Sequence, residues 1–193
     1  MTALFSWFLI PLAALCMSGA SDWFTTNYSV TASTAPGNLF LILWAFLTGS
    51  FFRFLIKRII GQAAPVLSGK KELFLTDLAV SLLFTSVFLP YVPEKNRILS
   101  AFHVAFAFTA TVLFYIVITF LDLKLYLRFP EHFTAFTWLL VFAAFMTTFL
   151  LSLSDFMISS ALETFLTVFA SFWMDMFYRK VAKLSASGLL DLK

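Results

Sequence analysis

The chain has 193 residues, of which 61% are apolar and only 12% are charged, and its formal net charge is +3. A soluble domain is about half apolar and about a quarter charged, so these few charges could not cover 27 phenylalanines. The composition excludes an ordinary soluble protein and predicts an all-α, polytopic transmembrane bundle. The basic residues lie between the apolar runs, which is typical of membrane topology and not of a nucleic-acid interface.

The apolar residues form runs of about 20 residues, the length that a helix needs to cross a bilayer. The first run resembles a signal peptide but lacks a positively charged start, so we expect a retained span with a kink at Pro11. Pro90 and Pro93 end the third and shortest run. One transmembrane domain, residues 1–193, is therefore predicted to have six spans: 3–20, 38–56, 73–89, 98–121, 133–153 and 156–178.

The basic residues of the loops predict the orientation of these spans. With both termini inside, eleven of the thirteen Lys and Arg residues lie on the inner side, and only Lys95 and Arg97 lie outside. Cytoplasmic loops carry such an excess of positive charge. We therefore expect both termini to be cytoplasmic.

Two ionisable residues are predicted near the outer ends of the fourth and sixth spans. At 1.5 Å per residue, His103 lies roughly 9 Å below the outer boundary and Glu163 roughly 12 Å below it. The two would meet if these spans were neighbours. A neutral imidazole beside a carboxyl could form a structural hydrogen bond, bind a ligand or lipid headgroup, or act as an acid–base pair.

The sixth span has a polar face. Its small polar residues and one aspartate recur at spacings of four, three, four and four: Ser160, Thr164, Thr167, Ser171 and Asp175. Such a face serves close helix packing or lines a cavity. We include Ser160 and Thr167 with His103 and Glu163 in one candidate polar site.

A second polar layer is predicted near the inner side, where Arg53, Asp77 and Asp175 form a candidate intramembrane ion pair. Arg53 and Asp77 lie at equal depths on consecutive antiparallel spans, although Arg53 could instead extend to the interface alone. In the fourth span, Ala101, Ala105 and Thr109 recur at four-residue spacing. This small-residue face permits close helix approach and favours a central position for that span.

Most signatures of enzymes and metal sites are missing. The two histidines are predicted on opposite sides of the membrane, Cys16 has no partner in the chain, and no Gly-x-Ser-x-Gly motif occurs. We expect no cofactor and no metal. An enzyme is the less favoured class, though His103 and Glu163 keep it open.

Three short stretches resemble a known group of membrane proteins. Leu89–Lys95, Ser100–Phe108 and Asn27–Val30 are similar to small uncharacterised bacterial six-span proteins and, more distantly, to the FRAG/DRAM/Sfk-type group. The resemblance implies a six-helix bundle in a bacterial plasma membrane with a lipid-associated or regulatory role. It singles out His103 and carries over no catalytic residue.

Three functions follow as hypotheses. The first is a regulatory bundle that engages membrane lipids or another membrane protein. The second is a small-molecule binding or transport subunit, like the substrate-binding components of energy-coupling-factor transporters, although Ala14 and Ser18 are a poor match to their docking face. The third is an intramembrane enzyme that uses His103 and Glu163. No nucleic-acid partner is expected.

Overall fold

The structure, a computed structural model, describes residues 1–19, 22–33 and 35–191. It is 82% helical and has no strand over those residues, which confirms the predicted all-α class. Its six long helices are α1 (Thr2–Ser18), α2 (Ala35–Gln62), α3 (Lys70–Phe88), α4 (Arg97–Arg128), α5 (Pro130–Leu153) and α6 (Ser160–Ala186). A short helix, Tyr28–Thr31, lies between α1 and α2, and a 3₁₀ turn, Leu189–Asp191, follows α6.

Three of the helices are long and apolar enough to cross a membrane: Gly37–Gln62 within α2, then α4 and α5. The helix Thr2–Ser18 is apolar but shorter. These lengths support a membrane protein. By contrast, α3 and α6 carry buried charged residues such as Glu72 and Asp175, which make them more polar.

Helix α1 changes its geometry around the proline that was predicted to kink it. Residues Phe5–Leu9 form a π-helical turn just before Pro11, with the N–H of Ile10 bonded to the carbonyl of Phe5. A proline ring crowds the carbonyl four residues earlier. The wider turn gives that carbonyl room, so α1 continues as a helix through Pro11 to Ser18.

Side-chain caps fix where three helices begin. The Asn27 side chain accepts a hydrogen bond from the backbone N–H of Val30, Asn96 accepts one from Leu99, and Ser159 accepts one from Leu162. Each cap satisfies a backbone N–H that has no partner within its own helix. The caps of α4 and α6 therefore set the positions of His103 and Glu163.

The centre of the bundle is α6, and the prediction of a central α4 is wrong. Helix α6 packs against α1, α2 and α5. The stacked rings of its own Trp173 and Phe177, 4.4 Å apart, both contact the ring of Phe136 on α5. On α4, the small residues Ala101, Ala105 and Thr109 are exposed. The buried side of α4 instead holds Ser100, His103, Ala110 and Val117. Polar His103 turns inward because lipid cannot hydrogen-bond to it, whereas alanine tolerates lipid contact.

Candidate functional site

Residues 22–33, here called the 22–33 loop, close one end of the bundle. Two backbone hydrogen bonds join the loop to the start of α6. The N–H of Ser160 donates to the carbonyl of Thr26 at 2.7 Å, and the N–H of Ala161 donates to that of Trp23 at 2.9 Å. The first N–H groups of a helix need such partners from outside it, so the loop stabilises α6 and is held by it.

Tyr28 inserts from this loop into the bundle and is 1% exposed. Its hydroxyl lies 2.9 Å from the carbonyl of Ala14 and 2.8 Å from the Thr164 hydroxyl, and its ring meets that of Trp44 edge-on at 5.3 Å. Burial raises the pKa of Tyr28 well above its ordinary value, because the phenolate would lose its hydration. The protonated hydroxyl therefore remains a donor, and it ties the loop to α1 and α6.

Glu163 and His103 hold neighbouring residues of the loop. The backbone N–H of Tyr28 donates to Glu163 Oε2 at 2.7 Å, and the Ser29 hydroxyl lies 2.7 Å from His103 Nε2. No hydrogen bond joins His103 to Glu163 in the described part of the chain. Their predicted depths bring them to the same end of the bundle, but the loop lies between them. In the described residues, each of the two side chains contacts the loop instead of the other side chain.

The other nitrogen of His103 faces backbone oxygens. Nδ1 lies 2.8 Å from the carbonyl oxygen of Ser86 and 2.7 Å from that of Leu89. Both belong to the C-terminal end of α3 and the turn that follows it. The imidazole is 3% exposed, so it bridges α3, α4 and the 22–33 loop within the protein.

All five residues of the predicted polar face of α6 are buried, but they serve different neighbours. Thr164 bonds to Tyr28 and Ser18, and the Ser171 hydroxyl donates to the carbonyl of Ser6 at 3.0 Å. The Ser160 hydroxyl has no partner among the described residues. Thr167 does not share the site of His103 and Glu163 and instead lines a separate cleft.

This cleft has a volume of about 90 Å³ and lies between α2, α4 and α6. Its walls are mostly apolar, with Phe52, Ala110 and Phe114 among them. Two polar groups on its walls, Trp44 Nε1 and Thr48 Oγ1, are buried and have no hydrogen-bond partner in the described residues. Because they lie one helical turn apart on α2, they share one face of that helix.

Two of the three threonines that line the cleft, Thr48 and Thr167, differ from several others in the long helices, whereas the third, Thr111, donates its hydroxyl to the carbonyl of Ala107. The hydroxyls of Thr76, Thr119 and Thr147 each donate to the carbonyl four residues earlier. Thr48 makes no such bond, and no hydrogen bond of Thr167 is found with any described residue. A buried donor without a partner costs about 1–3 kcal/mol. These hydroxyl groups can therefore donate hydrogen bonds to an acceptor atom of a ligand in the cleft.

The structure divides the predicted inner ion pair. Arg53 Nε lies 2.6 Å from Asp77 Oδ1, and both side chains are about half exposed, at 48% and 51%. Asp175 is apart from them: it accepts hydrogen bonds from Trp7 Nε1 at 3.0 Å and Arg179 Nε at 2.8 Å. Its place on the buried face of α6 directs it toward α1, while Arg53 and Asp77 join α2 to α3.

One further ion pair, between Glu72 and Lys124, was not predicted from the sequence. It joins the start of α3 to the end of α4. Burial pushes the pKa of Glu72 upward. The hydrogen bond from Lys124, a backbone hydrogen bond and the positive charges of Lys124 and Lys71 together hold that pKa below its ordinary value. Glu72 lies in what the sequence shows as a loop, so only the tertiary structure reveals this contact.

The sequence analysis did not single out Ser29, Trp44 or Thr48 as site residues. Asn27 at a helix start could have indicated the short Tyr28–Thr31 helix, but not what its side chains contact.

No group of three His, Cys, Asp or Glu residues that could hold a metal ion is found in the residues that the structure describes. Comparison of the chain with protein-family models, curated proteins and solved structures finds no match.

Proposed function

We propose that this protein is a six-span bundle of a bacterial plasma membrane that binds a membrane lipid, with one chain segment of the lipid in the cleft between α2, α4 and α6. Three long apolar helices and the strong bias of basic residues toward one side support the membrane topology. In this arrangement α1, α3 and α6 also cross the bilayer, and both termini are cytoplasmic.

The observation that carries the lipid assignment is the chemistry of the cleft. Its walls are apolar, but Trp44 Nε1 and Thr48 Oγ1 have no partner within the described protein. A ligand that combines an apolar chain with a carbonyl oxygen satisfies both features. Membrane lipids have this combination, and a lipid reaches an intramembrane cleft directly from the bilayer.

The size of the cleft argues against the small-molecule carrier. Pockets that enclose a drug-sized ligand measure about 300–1,000 Å³, whereas this cleft measures about 90 Å³. It can hold part of a chain and not a whole vitamin-sized molecule. A lipid can leave the remainder of its length in the bilayer, so the size favours a lipid. The resemblance to six-span proteins of the FRAG/DRAM/Sfk type agrees with such a lipid-associated role.

Accessibility of single cysteines tests the topology. In a background with Cys16 replaced by serine, we expect a cysteine at Ser33 to react with a membrane-impermeant maleimide added outside intact cells. A cysteine at Ser68 should react only after the membrane is permeabilised. The reverse pattern would overturn the proposed orientation, and reaction of both from outside would overturn the six-span arrangement.

Photo-crosslinking tests lipid binding in the cleft. A phospholipid with a diazirine in one acyl chain is expected to label peptides that contain Phe114 or Met174, both of which line the cleft. Ala170→Leu places extra atoms in the cleft and should lower this labelling at least fivefold. Ala144→Leu on the exposed face of α5 is the matched control and should leave it unchanged.

Removing the hydroxyl groups gives a second measurement of the same site. Thr48→Val and Thr167→Val keep the side-chain shape and remove one donor each, so both should weaken retention of the lipid in native mass spectrometry.

Equal crosslinking in the Ala170→Leu and Ala144→Leu proteins would contradict binding in the cleft. A retained stoichiometric soluble metabolite would support the small-molecule carrier instead.

A further inference from the structure

Ser29 and His103 have the geometry of a nucleophile and its base. The Ser29 hydroxyl oxygen lies 2.7 Å from His103 Nε2, within the reach required for proton transfer. Ser29 is half-buried while His103 is almost fully buried. The serine can therefore meet a substrate, and the imidazole is held in one place.

The hydrogen bonds of His103 define which nitrogen carries the proton. Nδ1 faces the carbonyl oxygens of Ser86 and Leu89, and a carbonyl oxygen can only accept a hydrogen bond. Nδ1 must therefore carry the hydrogen. In the neutral imidazole this leaves the lone pair on Nε2, directed at the Ser29 hydroxyl, which is the tautomer that a general base needs.

The surroundings also stabilise the imidazolium that proton transfer produces. The two carbonyl dipoles at Nδ1 take the position that a carboxylate occupies in a Ser-His-Asp triad. The carbonyl of Ser86 belongs to the last turn of α3, where the helix dipole adds negative potential. The ring of Tyr91, with its centroid 5.7 Å from that of His103, covers one side of the imidazole.

We propose that Ser29 and His103 cleave carboxylic esters of membrane lipids. Ser29 Oγ attacks the ester carbonyl carbon while its proton passes to His103 Nε2, and the π electrons of the carbonyl move onto its oxygen. When these electrons return, the bond from the carbonyl carbon to the alcohol oxygen breaks. Nε2 then protonates the leaving alkoxide, which gives a free alcohol and an acyl-serine. Water attacks the acyl-serine by the same route and releases the carboxylic acid.

The position of the pair favours a lipid ester over a soluble one. Trp23, Phe24 and Val30 of the same loop expose large apolar side chains, which suits the boundary between lipid and water. Below the loop, Tyr28 touches Trp44 on the wall of the cleft. The loop that carries Ser29 therefore adjoins the wall of the proposed lipid cleft. This substrate class rests on the proposed lipid binding, but the reactivity of Ser29 does not.

A serine-directed fluorophosphonate tests the reactivity in the full-length protein in detergent micelles. We expect tandem mass spectrometry to find the phosphonyl group on Ser29. Ser29→Ala should abolish labelling, and Ser33→Ala, an exposed serine of the same loop, should not affect it. His103→Gln should slow labelling by about 100-fold or more, the usual contribution of a general base. Thermal unfolding of each variant shows that it remains folded.

The substrate class is tested with the protein in vesicles of dioleoyl phosphatidylglycerol. We expect the wild type to release oleate from this lipid and the Ser29→Ala protein to release none. Three results would each overturn the proposal: no labelling of the folded wild type, labelling that survives Ser29→Ala, or equal oleate release by the two proteins. Fluorophosphonate labelling of the Ala170→Leu protein distinguishes the reactivity of Ser29 from lipid binding in the cleft. If lipid does not bind there, labelling of Ser29 by the small probe still occurs, so the two proposals can fail independently.

Discussion

Replacing Gly37 with alanine will destabilise the protein by about 1–3 kcal/mol, the usual cost of forcing an extra methyl group into packed structure. A β-carbon at Gly37 would lie 2.2 Å from the carbonyl oxygen of Thr31 and 3.0 Å from the Cα of Ala32. Both obstacles are backbone atoms, so no side chain can rotate away. The 22–33 loop would have to move away from α2.

The displaced loop gives this variant a local signature. The backbone N–H of Tyr28, which donates to Glu163, should exchange its hydrogen faster, and fluorophosphonate labelling of Ser29 should fall. Unfolding in mixed detergent micelles measures the loss of stability, and hydrogen exchange measures the local change.

Gly61→Ala on the same helix is the control, because a β-carbon there meets nothing within 4 Å. That variant should gain about 0.5–1 kcal/mol from its higher helix propensity. An unchanged exchange rate at Tyr28 would contradict the prediction for Gly37.

Replacing Gly69 with alanine will have a larger effect on the free energy of unfolding. Gly69 has a φ of +65°, and a β-carbon there would lie 2.1 Å from Ile60 Cγ2. The left-handed backbone costs a residue with a side chain about 1–2 kcal/mol, and the collision adds about 1–3 kcal/mol. Ile60 belongs to the buried core, so it has little room to retreat.

Gly188→Ala separates the two costs at Gly69. Gly188 has a φ of +70° but open space around it, so alanine there bears only the backbone strain. The free energy of unfolding should therefore fall further in Gly69→Ala than in Gly188→Ala, by about the 1–3 kcal/mol of the collision. Equal losses in the two variants would show that Ile60 yields freely and that the loop before α3 is loosely packed.

Several features of the fold could be predicted because they depend on local sequence. Runs of apolar residues about 20 long identified the helices, since the bilayer sets that length. The structural helices extend beyond the predicted spans, for example from 98–121 to Arg97–Arg128, because a helix need not end at the membrane boundary. The periodic polar face of α6 could be predicted for the same reason: spacing alone determines which residues share a face.

The pairing of helices could not be predicted in this way. The small-residue face of α4 suggested close packing, but Ala101 and Ala105 are exposed. Small residues permit a close approach without requiring it. Arg53 and Asp77, on consecutive helices, do meet, because a short connection forces such helices to be antiparallel neighbours. Asp175 lies far away in sequence, and its contact with Trp7 depends on packing that its depth does not determine. Its other partner, Arg179, lies one turn away on the same helix, where spacing alone brings the two side chains together.

The sequence by itself determined that this is a helical membrane protein, and it placed His103 and Glu163 at one end of the bundle, because composition and the helical rise fix both. Only the tertiary structure decided what these residues contact. The 22–33 loop folds between them and offers the Tyr28 N–H to Glu163 and the Ser29 hydroxyl to His103. A loop has no periodicity from which its side-chain partners can be calculated. The candidate site therefore consists of Ser29 and His103, on segments that only tertiary packing brings together.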